Sequence, residues 1–295
     1  MGGVGIWTAQ LDGRPAAEAQ AHVAQLEELG YGAVWVPEAF GREAFTNSAL
    51  LLAGGRKITV ATGIASIWAR DAMAMSAAHK TLTEAYPGRF VLGMGVSHAV
   101  MVNGVRGHHY DKPYSAMKAY LDAMDAAPFM AAQPVGPPQR ILAALGPKML
   151  ELAAKRAAGA HPYFVPPEHT GFARQQLGAG PLLAVEQAVV LETDPAKARA
   201  LARTHTVHYL TLPNYTNNLR RFGFGDADFE DRGSDRLVDA VVAWGDVGAI
   251  AARVRAHHDA GADHVCVQVI GEDFRAVPEH AWRELAPALL QRAGG

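Results

Sequence analysis

The sequence lacks the features that mark several broad classes of protein. It contains one cysteine, Cys266, among 295 residues, so an internal disulfide is excluded and a reducing compartment is indicated. No apolar run approaches the ~20 residues of a membrane span, and the N-terminus has neither the basic nor the apolar region of a signal peptide. We therefore predict a cytoplasmic protein without a membrane partner, in which Cys266 is a buried, inert thiol.

Charge and short motifs exclude further functions. The 27 Lys and Arg residues are balanced by 29 Asp and Glu residues, which leaves no basic excess for binding nucleic acid. The sequence has neither a phosphate-cradling Gly-Lys-Ser/Thr loop nor a Gly-x-Ser-x-Gly nucleophile motif, so kinase and hydrolase functions are not indicated. No histidine pair has further ligands at metal-binding spacing, so no metal site is predicted. A small-molecule substrate remains the expectation.

What the sequence does contain is a repeated unit of an amphipathic helix, a glycine and a short apolar strand. In the first copy, Ala19, Val23 and Leu26 share one helical face, and Gly30 is suited to the end of that helix. The pattern predicts eight strands, at residues 4–9, 33–36, 58–67, 90–93, 140–144, 163–165, 182–191 and 264–270.

This alternation predicts an α/β fold with a parallel sheet. Eight units over this length favour a closed (β/α)8 TIM barrel, and no Gly-x-Gly-x-x-Gly follows the first strand to support a Rossmann fold. Residues 204–244 are too long for one loop and predict an insertion or lid between strands seven and eight. We expect residues 1–295 to form one domain.

In such barrels the active site lies where strands end and helices begin. Gly63, near the end of the third predicted strand, is typical of a bulge or of close approach by a ligand, although simple packing would also explain it. Gly93 and Gly95 at alternate positions leave space above the sheet, and His98 follows them at the mouth. Histidine suits proton transfer near neutral pH, and a hydrogen-bonded loop histidine is the alternative interpretation.

A third strand end, Leu145-Gly146-Pro147, leads from strand five into a helix. Proline is favoured in a first helical turn. Free N–H groups and the helix dipole at such a position can bind an anion, for example a cofactor phosphate. An ordinary turn from strand to helix is the alternative.

These segments, in this order, resemble the luciferase-like superfamily, and in particular its branch that depends on coenzyme F420. The resemblance covers nearly the whole chain and is most specific at residues 33–38, 62–64, 87–95 and 145–147, while residues 160–170 resemble one F420-associated subgroup. It implies a barrel, commonly a homodimer, that moves a hydride between a deazaflavin or flavin and a small substrate.

The resemblance also implies site residues. Gly63-Ile64 matches a non-proline cis peptide that backs the central ring of the cofactor in family members. The cofactor-binding residues expected in this way are Gly63, Ile64, Ala65, Gly95, Ser97, Leu145, Gly146 and Pro147.

Catalytic and substrate residues are predicted at the same strand ends. His98 matches the position of an acidic proton donor in the sugar-phosphate dehydrogenase branch, and we predict His98 and Glu38 as catalytic residues. The expected substrate pocket consists of Trp7, Phe40, Trp68, His161 and His169. Ala39 stands where that branch has a catalytic histidine, so oxidation of a sugar phosphate is not expected.

The predicted function is therefore hydride transfer between coenzyme F420 and a small organic substrate, by default as a reductase. One alternative is an FMN-dependent luciferase-like monooxygenase. A second, of another class, is a catalytically silent flavin-binding accessory protein.

Overall fold

Ten parallel strands form the centre of the protein. A computed structural model describes residues 1–290 of the chain. The strands are β1 (Val4–Trp7), β2 (Ala33–Val36), β3 (Thr59–Thr62), β4 (Ala65–Ser66), β5 (Phe90–Gly95), β6 (Gln139–Leu142), β7 (Gly159–Ala160), β8 (Leu182–Val190), β9 (Val242–Trp244) and β10 (His264–Val269).

Eight of these strands close into a barrel. The order runs β10-β1-β2-β3-β5-β6-β7-β8, and β8 pairs with β10 to complete the ring. β4 continues the line of β3 and pairs with β5, while β9 pairs with the last residues of β8. The predicted TIM barrel is confirmed.

The strand boundaries differ from the predicted ones in three places. The third predicted strand is divided into β3 and β4 by the peptide between Gly63 and Ile64. The sixth strand lies at Gly159–Ala160 and not at residues 163–165, because Phe164 has a φ of 59°, which is incompatible with an extended strand. Within the predicted insertion, β9 was missed because it has only 3 residues.

Helices surround the barrel and connect its strands. They are α1 (Ala16–Leu29), α2 (Ala44–Leu52), α3 (Ala72–Ala85), α4 (Pro113–Ala126), α5 (Pro147–Arg156), α6 (Pro167–Leu177), α7 (Pro195–Tyr209), α8 (Pro213–Arg220), α9 (Asp226–Phe229), α10 (Asp235–Val241), α11 (Val247–Asp259) and α12 (Glu279–Leu290). α1 ends at Gly30 with a φ of 95°, as its sequence indicates. None of the helices within residues 1–290 is both long and apolar enough to cross a membrane.

Three packed regions hold this architecture together. The largest fills the space between the strands and the outer helices. A second fills the inside of the barrel and contains Trp7, Trp35 and Cys266, and burial raises the pKa of the Cys266 thiol. The third joins α7, α8 and α10 to Phe164. The insertion between β8 and β10 thus packs directly on the carboxyl side of the barrel.

Candidate active site

The carboxyl ends of β3, β5 and β6 form a shelf at the mouth of the barrel, which we define as Gly63, Ile64, Gly95 and Ala143. The Gly63-Ile64 peptide is cis, as predicted. A methyl group on Gly95 would lie 2.8 Å from Ile64 Cδ1 and 3.0 Å from Ala143 Cβ, so the Ile64 side chain rests against Gly95. Gly63, Ile64 and Ala143 are half-buried and border the solvent at the mouth.

The side chains inside the barrel lie at distinct levels, because the tilt of the strands brings alternate strands to the same height. The strand register defines an upper layer that consists of Trp7, Gly63, Ala143 and Glu186. Trp7 Nε1 donates a hydrogen bond of 3.1 Å to the Gly63 carbonyl within this layer. Trp7 and Glu186 are buried, and a methyl group on Gly63 would lie 2.7 Å from Trp7 Nε1 and 3.1 Å from His161 Nε2, so these two rings fill the space over Gly63.

A lower layer lies one level nearer the amino ends of the strands and consists of Trp35, Gly93, His161 and Cys266. Trp35 stacks on the His161 ring at 4.5 Å. His161 Nδ1 lies 2.8 Å from the Ala184 carbonyl, to which it must donate, so Nε2 carries a lone pair. Burial lowers the pKa of His161 to about 4, and Nε2 is buried without a hydrogen-bond partner among the described residues.

Glu186 is a carboxyl group in the apolar interior. Its Oε2 accepts a hydrogen bond of 3.1 Å from the Phe164 N–H, whereas Oε1 is buried with no partner in the described part of the chain. Burial raises the pKa of Glu186 to about 8, and the Phe164 N–H opposes this shift. Glu186 is therefore uncharged at neutral pH and carries a proton.

An aromatic wall of Tyr163, Phe164, Tyr209 and Tyr215 covers the β7 and β8 side of the mouth. Tyr163 Oη lies 2.7 Å from Tyr209 Oη and 2.7 Å from Gln268 Oε1. Phe164 stacks on Tyr209 at 4.9 Å, and Tyr215 meets Tyr209 edge to face at 5.2 Å. Since Tyr209 and Tyr215 belong to the insertion, this wall is built jointly by the barrel and the insertion.

His98 follows β5 and is held by the insertion. Its Nδ1 lies 3.1 Å from Asn214 Oδ1, and its ring lies 5.5 Å from that of Tyr215. An amide oxygen only accepts, so the imidazole donates from Nδ1 and exposes a lone pair on Nε2. Burial lowers the pKa of His98, and the hydrogen bond to Asn214 opposes the shift. His98 is thus uncharged at neutral pH and suited to accept a proton.

Glu38, predicted as a catalytic residue, forms an ion pair with Arg70. Its Oε2 accepts hydrogen bonds from the Ser66 N–H (2.8 Å) and from Arg70 Nη1 (3.1 Å), and Oε1 contacts Arg70 Nη2. The Glu38 side chain is 5% exposed and that of Arg70 is 11% exposed. The ion pair ties the loop after β2 to β4, which points to a positioning role.

The amino end of α5 forms an anion cradle, which we define as Gly146, Pro147 and Arg221. The N-cap residue Gly146 supplies no capping side chain, so the helix dipole and first-turn N–H groups face outward. A methyl group on Gly146 would lie 3.2 Å from Arg221 Nη1, which places the guanidinium over this turn. Arg221 follows α8, so the insertion completes the cradle.

Comparison with known proteins identifies the family. The sequence pattern of luciferase-like monooxygenases matches residues 4–264. The chain belongs to this family. Membership in the luciferase-like monooxygenase family makes it an oxidoreductase enzyme.

Two curated relatives and one solved structure extend this finding. A Mycobacterium tuberculosis protein described as a coenzyme F420-dependent oxidoreductase is 28% identical to this chain over 207 residues. The matched region covers 60% of this chain and 58% of that relative. A 5,10-methylenetetrahydromethanopterin reductase of Methanolobus tindarius is 24% identical over 78% of this chain and 77% of its own length. An F420-dependent secondary alcohol dehydrogenase, solved with an F420-acetone adduct, covers 98% of this chain and 99% of its own with a TM-score of 0.78. At 14% identity, this last similarity shows the fold alone.

Other residues predicted from the family resemblance are more dispersed. Trp68 lies at the mouth and donates from Nε1 to the Val96 carbonyl at 2.9 Å. Ser97 has a φ of 56° in the turn before His98. Phe40 is 78% exposed in the loop after β2, away from the layers inside the barrel.

Two further predicted residues are buried. His169 is buried on α6, and its Nε2 lies 2.9 Å from the Leu145 carbonyl. Burial lowers the pKa of His169 to about 4. The predicted cofactor residue Ala65 is buried in β4 beside Met94. These side chains therefore lie behind the shelf and the cradle.

Sequence reasoning missed several residues of this family member's site. The sequence contains a signal for Glu186, because it places a carboxylate between Ala184 and Ala188 on the inward face of an apolar strand. The sequence contains no such signal for Asn214 and Arg221, because the path of the insertion across the mouth is a tertiary feature.

Proposed function

We propose that this protein is an F420-dependent oxidoreductase that reduces a small organic substrate. The observation that carries the proposal is the shelf of Gly63, Ile64, Gly95 and Ala143, which is open to the mouth and continues along the chain into the anion cradle. The name of the Mycobacterium tuberculosis relative supports the choice of cofactor.

The residues present fit such a cofactor. The half-buried Ile64 and Ala143 offer an apolar surface to a flat ring, and a cofactor phosphate matches the helix dipole and the guanidinium of Arg221. We propose that Gly63, Ile64, Gly95 and Ser97 hold the ring, with Ala65 and Leu145 behind them. Gly146 and Pro147 would hold the phosphate. Bound F420 supplies a two-electron hydride carrier whose reduced form also releases a proton.

The protein positions these groups and handles protons. Because His98 is uncharged at neutral pH and keeps a lone pair on Nε2, we propose that it accepts a proton at the mouth. Trp7 and His161 shape the floor beneath the substrate, and Trp68 borders the entrance. Glu38 fixes the loop beside β4 through Arg70.

Titration of the purified protein with F420 and with FMN tests the cofactor assignment. We expect F420 to bind at least about tenfold more tightly than FMN, a difference of about 1.4 kcal/mol. Riboflavin, which lacks the phosphate, serves as a control for the cradle and should bind more weakly than FMN. Micromolar FMN binding without detectable F420 binding would overturn the proposal in favour of the FMN-dependent monooxygenase.

Arg221→Ala should weaken F420 binding about 10- to 100-fold. A charge-assisted hydrogen bond contributes about 1.5–3 kcal/mol, and the loss should be largest at low ionic strength. The matched control is Arg220→Ala, because Arg220 pairs with Asp226 and stacks on Phe229 at 4.8 Å. Equal affinities for the Arg221→Ala and Arg220→Ala variants would contradict the cradle.

A further inference from the structure

The turn that carries His98 contains a strained residue. Ser97, directly before His98, has a φ of 56°, in the left-handed region that favours glycine and that other residues rarely adopt. A conformation of this kind persists only where surrounding contacts hold it in place. The turn Val96-Ser97-His98 therefore needs partners, and three distant parts of the chain supply them.

Trp68 holds the turn from the side of the barrel. Its Nε1 donates a hydrogen bond of 2.9 Å to the Val96 carbonyl, directly before Ser97. The Ile67 N–H donates to the Gly95 carbonyl at 3.1 Å, so the pairing of β4 with β5 continues up to Trp68. Tryptophan has a single polar donor. Because the Val96 carbonyl uses it, the indole N–H is not available to a substrate.

The chain after β5 returns to the same turn. It forms a π-helical turn at Val100–Val105, in which Asn103 Oδ1 accepts a hydrogen bond of 2.6 Å from the Tyr110 N–H. Tyr110 Oη lies 3.4 Å from the Ser97 carbonyl, a longer contact than that of Trp68. The rings of Tyr110 and Trp68 lie 6.3 Å apart. These two side chains form a clamp on the turn, in which Trp68 makes the shorter bond.

The orientation of His98 depends on the backbone on both sides of it. The N–H groups of Met101 and Val102 donate to the His98 carbonyl at 3.0 and 2.9 Å, which fixes the backbone after His98. The backbone before it is fixed at Ser97. In this position the imidazole donates from Nδ1 to Asn214 Oδ1 at 3.1 Å. A neutral imidazole that leaves this position is free to carry its proton on Nε2 instead.

We propose that Trp68 is a positioning residue that keeps Ser97 in its left-handed conformation and so aims His98 at the mouth. The His98 proton then stays on Nδ1, and the lone pair on Nε2 remains available. This inference rests on the proposed function, in which Nε2 accepts a proton and the imidazole becomes an imidazolium. The Nδ1–H bond to Asn214 persists in that imidazolium, so the same geometry suits both protonation states.

The first test uses the ligand-free protein at neutral pH. Nitrogen NMR of histidine-labelled protein reports which ring nitrogen carries the proton, and His98→Gln identifies the His98 signals. His98 should be protonated at Nδ1 in the wild type and mostly at Nε2 in Trp68→Phe, which keeps an apolar ring but has no N–H. The matched control is Trp244→Phe, because Trp244 Nε1 donates to Asp239 Oδ1 at 2.7 Å within the insertion. The control should keep the proton on Nδ1, and an unchanged His98 tautomer in Trp68→Phe would overturn the proposal.

The second test is a kinetic cycle with Ser97→Gly. Glycine adopts a φ of 56° without strain, so the turn no longer depends on the clamp. Trp68→Phe should lower kcat about tenfold in the wild type but only about two- to threefold in the Ser97→Gly background, with KM within about twofold in both. Any effect of Ser97→Gly on cofactor contacts cancels in this comparison. Thermal unfolding of each variant verifies that it is folded before the rates are compared.

The outcomes separate this inference from the proposed function. Equal losses in the two backgrounds, or a rise in KM without a loss of kcat, would assign Trp68 to the substrate surface and overturn its positioning role. Failure of the wild type to bind F420 or FMN would instead overturn the proposed function. The His98 tautomer in the ligand-free protein would then still decide whether Trp68 holds the turn.

Discussion

Replacing His98 with alanine should lower kcat about 10²- to 10⁴-fold while leaving the dissociation constant of the cofactor within about threefold. Positioned acid or base groups typically contribute this much to a rate. His98 lies beyond the shelf and contacts Asn214 and Tyr215 of the insertion, so its loss leaves the shelf residues in place. Stopped-flow kinetics and a cofactor titration on one preparation provide both quantities.

The pH dependence gives a second measure of His98. Because burial lowers its pKa below the usual 6.5, kcat/KM should fall only when the pH drops below that value and the imidazole becomes protonated. Asn214→Asp places a carboxylate beside Nδ1, which should raise the pKa of His98 and move the acidic limb to higher pH. Normal turnover by folded His98→Ala protein, with only a lower melting temperature, would assign His98 a packing role.

The second large effect is expected at Glu38. Glu38→Ala should reduce the free energy of unfolding by about 3–5 kcal/mol, because it leaves the nearly buried Arg70 guanidinium without its main partner. The Ser66 N–H would also lose its acceptor. For a protein of this size, each kcal/mol corresponds to roughly 2–4 °C in melting temperature. Denaturant unfolding and thermal scans measure the change.

Two variants distinguish positioning from catalysis at this site. Glu43→Ala removes the exposed partner of the same arginine and the cap of α2, so a loss of only about 1 kcal/mol is expected. Glu38→Gln keeps the shape of the side chain but replaces one accepting oxygen with an NH2 group, so it should lose part of the stability and retain most turnover per folded molecule. If Glu38→Gln keeps full stability but loses turnover, Glu38 is catalytic after all.

The fold followed from the sequence because its signals are local and repeated. Each unit places an apolar helical face, a terminating glycine and a buried strand within about thirty residues, which is the scale of one βαβ unit. The prediction at residues 163–165 was wrong because composition does not reveal backbone conformation. Phe164 is apolar and aromatic, yet its φ of 59° and its N–H bond to Glu186 belong to a turn.

The candidate site was only partly predictable. The shelf and the turn at Gly146 lie at strand ends, and the barrel fold brings strand ends together. The protonation states were not accessible, because they depend on burial and on partners distant in sequence. His98 and Asn214 are 116 residues apart, and the Phe164 N–H that contacts Glu186 belongs to another strand unit. A local sequence pattern encodes neither of these two contacts.

The closure of the ring by β10 has a consequence for synthesis on the ribosome. β10 pairs with both β1 and β8, so these two strands keep an unpaired edge until residues 264–269 have left the exit tunnel. Exposed, apolar strand edges are sites of aggregation. A nascent chain that stalls before residue 264 would carry seven of the eight barrel strands, with β1 exposed at one edge and the first residues of β8 at the other.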